Sequence, residues 1–202
     1  KGRVHSFCCA VPGCWHVMGV TQAAGLSLRW FRDTLGHDYL KEAEQAGLDP
    51  YVVMDHHVEH VPMGSRRLLY LPYLMGERTP HLDPDCRGVF FGLSAIHTQD
   101  DMLRAVMEGV GYSLTDCQDI LRGMGIVVQE MMACGGGGRS QLWRQMLADM
   151  YNCEVKTVSS KEGPALGAAI LAGVGAGLFK SVVTACRDFI DTNTYCQDRK
   201  ST

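Results

Sequence analysis

The chain has 202 residues, of which 46% are hydrophobic, 8% aromatic and 20% charged, and its formal net charge is −3. This composition is typical of globular proteins and excludes collagen-like, mucin-like and disordered chains. Because the net charge is small and negative, we predict no broad cationic surface. We therefore expect neither nucleic acid nor an anionic membrane as the main partner. The length suits one large domain or two small ones.

Two features of the sequence bear on its location. Its nine cysteines are dispersed without a repeating spacing, and an odd number does not suit a disulfide framework. With no secretory signal at the start, we expect reduced thiols in a cytoplasmic protein. The most apolar stretch, residues 164–179, is shorter than the ~20 residues that span a bilayer. Lys1 is not an initiator methionine, and we expect the chain to be a piece of a longer protein.

The first half of the chain alternates between strand and helix patterns. Residues 11–13 (Val-Pro-Gly) predict a turn between two strands, and the apolar period then changes from two to nearly four. The elements expected in chain order are strands over 3–9 and 15–20, helices over 21–35 (Leu26, Trp30 and Phe31 on the apolar side) and 38–46, a surface segment over 48–65, a buried strand over 67–74 and a long ordered loop over 75–92.

The second half begins with the clearest helix. Thr98 can cap it, and Asp101 occupies the capping-box position. Apolar residues then recur at steps of three and four, which predicts one buried stripe: Leu103, Val106, Val110, Leu114, Cys117 and Leu121. The remaining elements are a strand over 126–134, a glycine run over 135–138, a helix over 140–151, a strand over 154–158, helices over 165–177 and 181–190, and a polar tail over 191–202. This order predicts a mixed α/β domain over residues 1–190, with one sheet covered by helices.

The most informative local feature is the run from Cys134 to Ser140, which contains four consecutive glycines between a strand and a helix. Glycines let a backbone lie flat against a planar or anionic ligand, and the following helix presents free N–H groups. Both a nucleotide site and a flexible turn fit this pattern. It is neither a Walker A loop nor a GxGxxG fingerprint.

The segment from Gly76 to Pro84 concentrates charge and proline between apolar runs. Glu77, Arg78 and Asp83 could face a phosphate- or sugar-binding cleft. A salt-bridged loop that holds its own shape is the simpler interpretation, and it is favoured.

The segment from Asp55 to His60 contains three histidines. His56 and His60 would share one face of a helix, as in some zinc sites. The surrounding residues show no helical period and no further ligand set, so we expect a solvated polar loop and no metal site.

Several segments, in this order, resemble the FGGY family of carbohydrate kinases. They are residues 71–81 (LPYLMGERTPH), 87–93 (RGVFFGL), 104–110 (RAVMEGV), 135–149 and 163–169 (GPALGAA). Residues 12–20 (PGCWHVMGV) are similar to the branch of this family that phosphorylates D-xylulose. The resemblance extends from the first strand to Phe179.

The resemblance implies a ribonuclease-H-like lobe of the actin and hexokinase type that binds ATP, with Mg²⁺ as the metal. It implies that an N-terminal lobe, absent from these residues, carries the catalytic base and most sugar contacts, so no catalytic residue is assigned here. Carried over by position, Gly25, Arg29, Gly136, Gly137 and Ser140 are the expected ATP contacts. Related glycerol kinases have glutamine in place of Arg29 and asparagine in place of Ser140.

Three functions remain open at this point. The first is the ATP-binding lobe of a kinase that makes D-xylulose 5-phosphate. The second is a kinase of the same family for ribulose, gluconate, glycerol or another sugar or polyol. The third is a non-catalytic actin-like module that binds nucleotide or a partner. The expected partners are the N-terminal lobe and a sugar, and homo-oligomers are a further expectation because an uncovered lobe exposes apolar surface.

Overall fold

The computed structural model describes residues 2–158, 163–197 and 199. The helices are α1 Ala24–Thr34, α2 His37–Ala46, α3 Pro50–Glu59, α4 Gln99–Gly123, α5 Gln141–Tyr151, α6 Gly163–Gly175 and α7 Val182–Phe189. The strands are β1 His5–Cys8, β2 Trp15–Met18, β3 Leu69–Leu71, β4 Val89–Phe91, β5 Glu130–Ala133, β6 Glu154–Val158 and β7 Thr192–Cys196. They form two compact units. The first contains Gly19–Val127, and the second contains Val4–Met18 and the chain from Val128 onward.

Helix α4 is the centre of the first unit. Thr98 and Asp101 form the capping box that the sequence predicts, each side chain accepting a hydrogen bond from the other residue's amide. The helix is buried on all sides from residue 103 to residue 111. At Gly109 it lies against β3, where a Cβ atom would be 2.2 Å from the carbonyl oxygen of Tyr70. Only glycine allows so close an approach.

An enclosed ion pair connects α4 to the end of α3. Arg104 Nε donates to Glu108 Oε1 at 2.7 Å, and the two side chains are 6% and 5% exposed. Arg104 Nη1 also donates to the carbonyls of Val58 and Val61, and Glu108 accepts from the amide of Gly64. Buried charges are tolerated when they are paired and hydrogen-bonded in this way.

A left-handed turn leads into β3. Ser65, Arg66 and Arg67 have φ angles of 44°, 53° and 73°, a conformation that costs roughly 1–3 kcal/mol per non-glycine residue. Side chains of α4 hold this turn, since Arg66 Nε donates to Asp101 Oδ1 at 3.0 Å and Ser65 Oγ donates to Glu108. Strand β3 then pairs antiparallel with β4.

The second unit contains a three-stranded sheet and a separate hairpin. In the sheet, β6 lies between β5, to which it is parallel, and β7, to which it is antiparallel. Helix α5 follows β5 and buries Trp143, Met146, Ala148 and Tyr151. In the hairpin, β1 and β2 pair antiparallel around the predicted turn, and the amide of Cys14 donates to the carbonyl of Val11 at 3.2 Å.

The mixed α/β class is confirmed, but several expectations differ from the structure. Residues 48–65, expected to lack a helix, contain α3, which Asp49 caps and in which Val53, Met54 and Val58 are buried. The strands form three separate sheets among the described residues instead of one.

The polar tail also differs from expectation, because residues 192–196 form β7 on the edge of β6. On α1 the buried face consists of Ser27, Leu28 and Phe31, so Leu26 and Trp30 are less enclosed than predicted. In the described part of the chain, no helix is both long and apolar enough to cross a membrane.

Candidate functional site

The glycine-rich loop of the second unit lies between β5 and α5. Because β5 is parallel to β6, this loop leaves the carboxyl end of a parallel strand, the edge at which α/β proteins bind ligands. Ser140 caps α5, and its Oγ accepts a hydrogen bond from the amide of Trp143 at 2.9 Å. Helix geometry leaves the amides of Gln141 and Leu142 without acceptors inside the helix. The loop therefore ends at N–H groups and a positive dipole end that favour an anion.

The four glycines of this loop are there for different reasons. Gly135 has a φ of +74°, which favours glycine. A Cβ on Gly137 would lie 3.1 Å from a tryptophan ring of α5, and one on Gly138 would lie 2.8 Å from the carbonyl oxygen that ends β5. Gly136 has an ordinary φ of −61° and is exposed, and a Cβ there would meet nothing within 4 Å. The fold therefore explains three of these glycines but not Gly136.

Arg144 lies beneath the loop and is only 8% exposed. Its Nη1 donates to the carbonyl of Gly138 at 2.6 Å and to that of Arg139 at 3.1 Å. Its Nε has no hydrogen-bond partner among the described residues. A buried guanidinium here makes the loop more favourable for a negatively charged group. Arg144 is a site residue that sequence reasoning missed, and the signal that could have located it is a charged residue within the apolar pattern of α5.

The other two predicted ATP contacts, Gly25 and Arg29, lie in the first unit. They are one helical turn apart on α1, both exposed and away from the buried face. A Cβ on Gly25 would meet nothing within 4 Å, so packing does not require glycine there either. The structure thus groups Gly25 with Arg29 on one helix face, and Gly136, Gly137 and Ser140 in one loop of the other unit.

The segment around Glu77 holds its own shape, as favoured from the sequence. Glu77 is 3% exposed. Its Oε2 accepts from Thr21 Oγ1 at 2.5 Å, and its Oε1 accepts from the amides of Gln22 and Arg78 at 2.9 and 2.7 Å. Backbone bonds between Glu77 and Asp83 close the loop. Hydrogen bonds to the buried carboxylate of Glu77 therefore stabilise the loop.

Two of the three histidines of residues 55–60, His56 and His57, lie on α3 and not in a loop, and His60 is the C-cap of that helix. His57 Nε2 is 2.9 Å from Glu42 Oε2, and its Nδ1 is 3.3 Å from Asp100, which also accepts from Tyr39 Oη at 2.5 Å. Burial lowers the pKa of His57, but the hydrogen bonds to Glu42 and Asp100 outweigh it, so this pKa is raised. Burial and the bond to Asp100 also raise the pKa of Tyr39. Among the described residues, no group of three or more His, Cys, Asp or Glu side chains is placed to hold a metal ion.

Comparison with known proteins identifies relatives over most of the chain. Residues 2–176 match the model of the FGGY family of carbohydrate kinases, C-terminal domain. The chain is 40% identical to a xylulose kinase of Bacillus subtilis over 190 residues, which are 94% of the chain and 36% of that protein. It is also 40% identical to a gluconokinase of the same organism, over 85% of the chain and 33% of that protein.

A solved structure agrees with these sequence matches. The ligand-bound xylulose kinase from Lactobacillus acidophilus is similar over 97% of this chain and 38% of its own, with a TM-score of 0.80 and 28% identity. The fold is therefore the ribonuclease-H-like fold of these kinases. The chain spans only about 36% of the length of the curated relatives it matches.

Proposed function

The chain belongs to the FGGY family of carbohydrate kinases, and from that premise we propose that it supplies the ATP-binding lobe of a kinase that converts D-xylulose to D-xylulose 5-phosphate. The observation that carries the proposal is Gly136, an exposed glycine that the fold does not require, between a parallel strand end and a helix N-terminus. The xylulose kinase relatives at 40% identity support the choice of sugar.

The residues of the glycine loop fit a nucleotide. Without side chains at Gly136 and Gly137, the loop backbone can lie against the adenosine part of ATP. The start of α5 and the buried Arg144 favour the negatively charged phosphates of ATP. Gly25 and Arg29 of α1 are also proposed nucleotide contacts, and packing leaves the position of Gly25 open, since a Cβ there would meet nothing within 4 Å.

The chemistry then divides between this chain and the rest of the enzyme. ATP supplies the phosphoryl group, and Mg²⁺ neutralises the charge that develops during transfer. The residues of this chain bind and position the nucleotide, which is most of what phosphoryl transfer demands of a protein. The base that orients the sugar hydroxyl, and most sugar contacts, belong in this proposal to an N-terminal lobe.

The decisive variant is Gly136→Leu in the kinase that contains both lobes. Its side chain would occupy the space assigned to the nucleotide, so we expect the Kd for ADP to rise at least tenfold, which is about 1.4 kcal/mol, with an unchanged melting temperature. Isothermal titration calorimetry measures the first quantity and differential scanning calorimetry the second. Gly175→Leu is the matched control, since Gly175 is also exposed without contacts at its Cβ. An unchanged Kd in the Gly136 variant removes the nucleotide from this loop.

A second candidate function is a kinase for a different sugar, which the gluconokinase relative at equal identity favours. Turnover is compared by coupled ADP release with D-xylulose, D-ribulose, gluconate and glycerol. The highest kcat/KM with D-xylulose supports the proposal. The highest kcat/KM with another substrate means that the proposed sugar is wrong and that the proposed kinase activity is retained. Nucleotide binding without turnover on any of them indicates a non-catalytic actin-like module.

A further inference from the structure

The end of the β1–β2 hairpin brings two cysteines opposite each other. The strand register pairs Cys8 with Trp15, so the next pair toward the turn is Cys9 with Cys14. A backbone hydrogen bond from the amide of Cys9 to the carbonyl of Cys14, at 2.8 Å, confirms that these two residues face one another. Directly opposite residues in an antiparallel pair have Cβ atoms about 4.5–5.5 Å apart.

The two cysteines share a face of the hairpin with a histidine. Cys9 Sγ is 3.6 Å from Nδ1 of His16, and His16 stacks on Phe7 at a ring separation of 5.4 Å. Because side chains alternate along a strand, Cys8 lies on the other face. Cys14, opposite Cys9, lies on the face of His16.

Both thiols can be reached from solvent. Cys14 is exposed and Cys9 is half-buried, and neither is in a disulfide. Reactive cysteines are accessible thiols beside a group that can accept or stabilise the thiol proton. Cys9 meets this description because an imidazole nitrogen lies within hydrogen-bonding distance of its sulfur. Cys14 is then placed as the resolving thiol.

We propose that Cys9 and Cys14 are a peroxide-sensitive pair that forms a disulfide across the end of this hairpin. The Cα separation suits a disulfide, since disulfides span Cα atoms about 4.4–6.8 Å apart and an antiparallel pair provides about 5.5 Å or less. A small local adjustment must bring the Cβ atoms from about 4.5–5.5 Å to the roughly 3.5–4.5 Å that the bond requires. The proposal is independent of nucleotide binding, because it rests on residues of the hairpin alone.

The reaction balances with hydrogen peroxide as the oxidant. His16 takes the proton of Cys9, whose thiolate attacks one peroxide oxygen, and the O–O bond breaks to give a sulfenic acid at Cys9 and hydroxide. The thiolate of Cys14 then attacks the sulfur of Cys9, the S–S bond forms and the sulfenic oxygen leaves as hydroxide. The protons released from the two thiols convert both hydroxides to water, so two thiols and one peroxide give one disulfide and two waters.

The test is oxidation of the chain with hydrogen peroxide followed by tryptic digestion and mass spectrometry. Trypsin releases residues 4–29 as one peptide between Arg3 and Arg29, and we expect it to lose the mass of two hydrogen atoms. Cys9→Ser and Cys14→Ser abolish this loss. Cys8→Ser is the matched control on the opposite face and retains it. His16→Gln forms the same disulfide several-fold more slowly.

A second measurement separates the folded hairpin from mere closeness in sequence. Partial reduction and alkylation shows whether Cys8 or Cys9 is joined to Cys14, and the native chain should give the Cys9 product in at least tenfold excess. In urea this preference should disappear. A native mixture of both products, a disulfide that persists in Cys9→Ser, or oxidation to sulfinic acid without a disulfide would each overturn the proposal.

Discussion

In the first unit, Glu77, Arg104 and Glu108 lie inside the fold. Their hydrogen bonds are made to neighbouring amides, hydroxyls and carbonyls and, for Arg104 and Glu108, to each other. In the second unit the glycine loop is on the surface, and Arg144 beneath it keeps an unpaired Nε among the described residues. Both regions lie in segments that resemble the same family. In the first region the polar groups stabilise the fold. In the second region the N–H groups at the start of α5 and the Nε of Arg144 are available to a ligand.

The comparison also separates glycines that look equivalent in the sequence. A Cβ on Gly109 would collide with the backbone of β3, whereas a Cβ on Gly136 would meet nothing within 4 Å. Both glycines lie in segments that resemble the family, and the resemblance does not show which of them is required for packing. Their surroundings show that Gly109 is required and Gly136 is not, and substitution can test each.

Loss of the enclosed charge pair should have the largest effect. Glu108→Ala leaves the guanidinium of Arg104 buried without its carboxylate, and we expect the free energy of unfolding to fall by about 3–5 kcal/mol. Urea unfolding measures it. Asp119→Ala, which removes the exposed partner of Arg122 on the same helix, is the control and should cost less than about 1 kcal/mol. Equal losses in the two variants would mean that burial does not distinguish these pairs.

A methyl group at Gly109 should have the next largest effect. In Gly109→Ala the new Cβ meets the carbonyl oxygen of Tyr70 at 2.2 Å, so α4 and β3 must separate, and overpacking of this kind costs typically 1–3 kcal/mol. Gly123→Ala, at the open end of the same helix, has no such contact and should change stability little. Comparing the melting temperatures of the two variants tests this prediction. A Gly109→Ala protein as stable as the wild type would contradict the close approach of α4 to β3.

The smallest effect concerns pH. Because the folded-state pKa of His57 is raised above 6.5, the charged imidazole stabilises the fold below that pH, and this contribution disappears as the pH rises through the raised pKa. The groups facing it are Glu42, Asp100 and Tyr39. We therefore expect His57→Gln to destabilise the protein more at pH 6 than at pH 8.5, measured by thermal denaturation.

The exposed neighbour His56 provides the control for this prediction. His56→Gln should show the same small change at both pH values, because no ion pair of His56 is found among the described residues. If the cost of His57→Gln is independent of pH, the hydrogen bonds to Glu42 and Asp100 do not depend on the charge of the imidazole.

Local signals predicted the elements that carry them. The capping box of Thr98 fixed the start of α4, and the short strand over 154–158 is β6. Helix α3 was missed because His57 interrupts its apolar period, although Asp49 and Pro50 are a helix start signal that could have located it. Strand β7 was missed because its sequence is polar, and its conformation depends on pairing with β6, a tertiary contact.

The candidate site was predictable only in part. The glycine run located the loop, but the separate reasons for Gly135, Gly137 and Gly138 depend on a φ angle, a tryptophan ring and a carbonyl that only folding brings close. The hydrogen bonds of the buried Glu77 likewise depend on Thr21 and Gln22, which are more than 50 residues away along the chain. Sequence patterns record spacing along the chain, and these contacts are set in space.

The second unit is built from two stretches of chain, because residues 19–127 intervene between its hairpin and its sheet. A ribosome adding 5–20 residues per second needs roughly 5–20 s to synthesise these ~110 residues. During that time the hairpin exists without the rest of its unit, and an isolated two-stranded hairpin is marginally stable in water. Its exposed Trp15 and Phe7 are accessible to chaperones during that time. The time before this unit can assemble is therefore set by how quickly the intervening segment is translated.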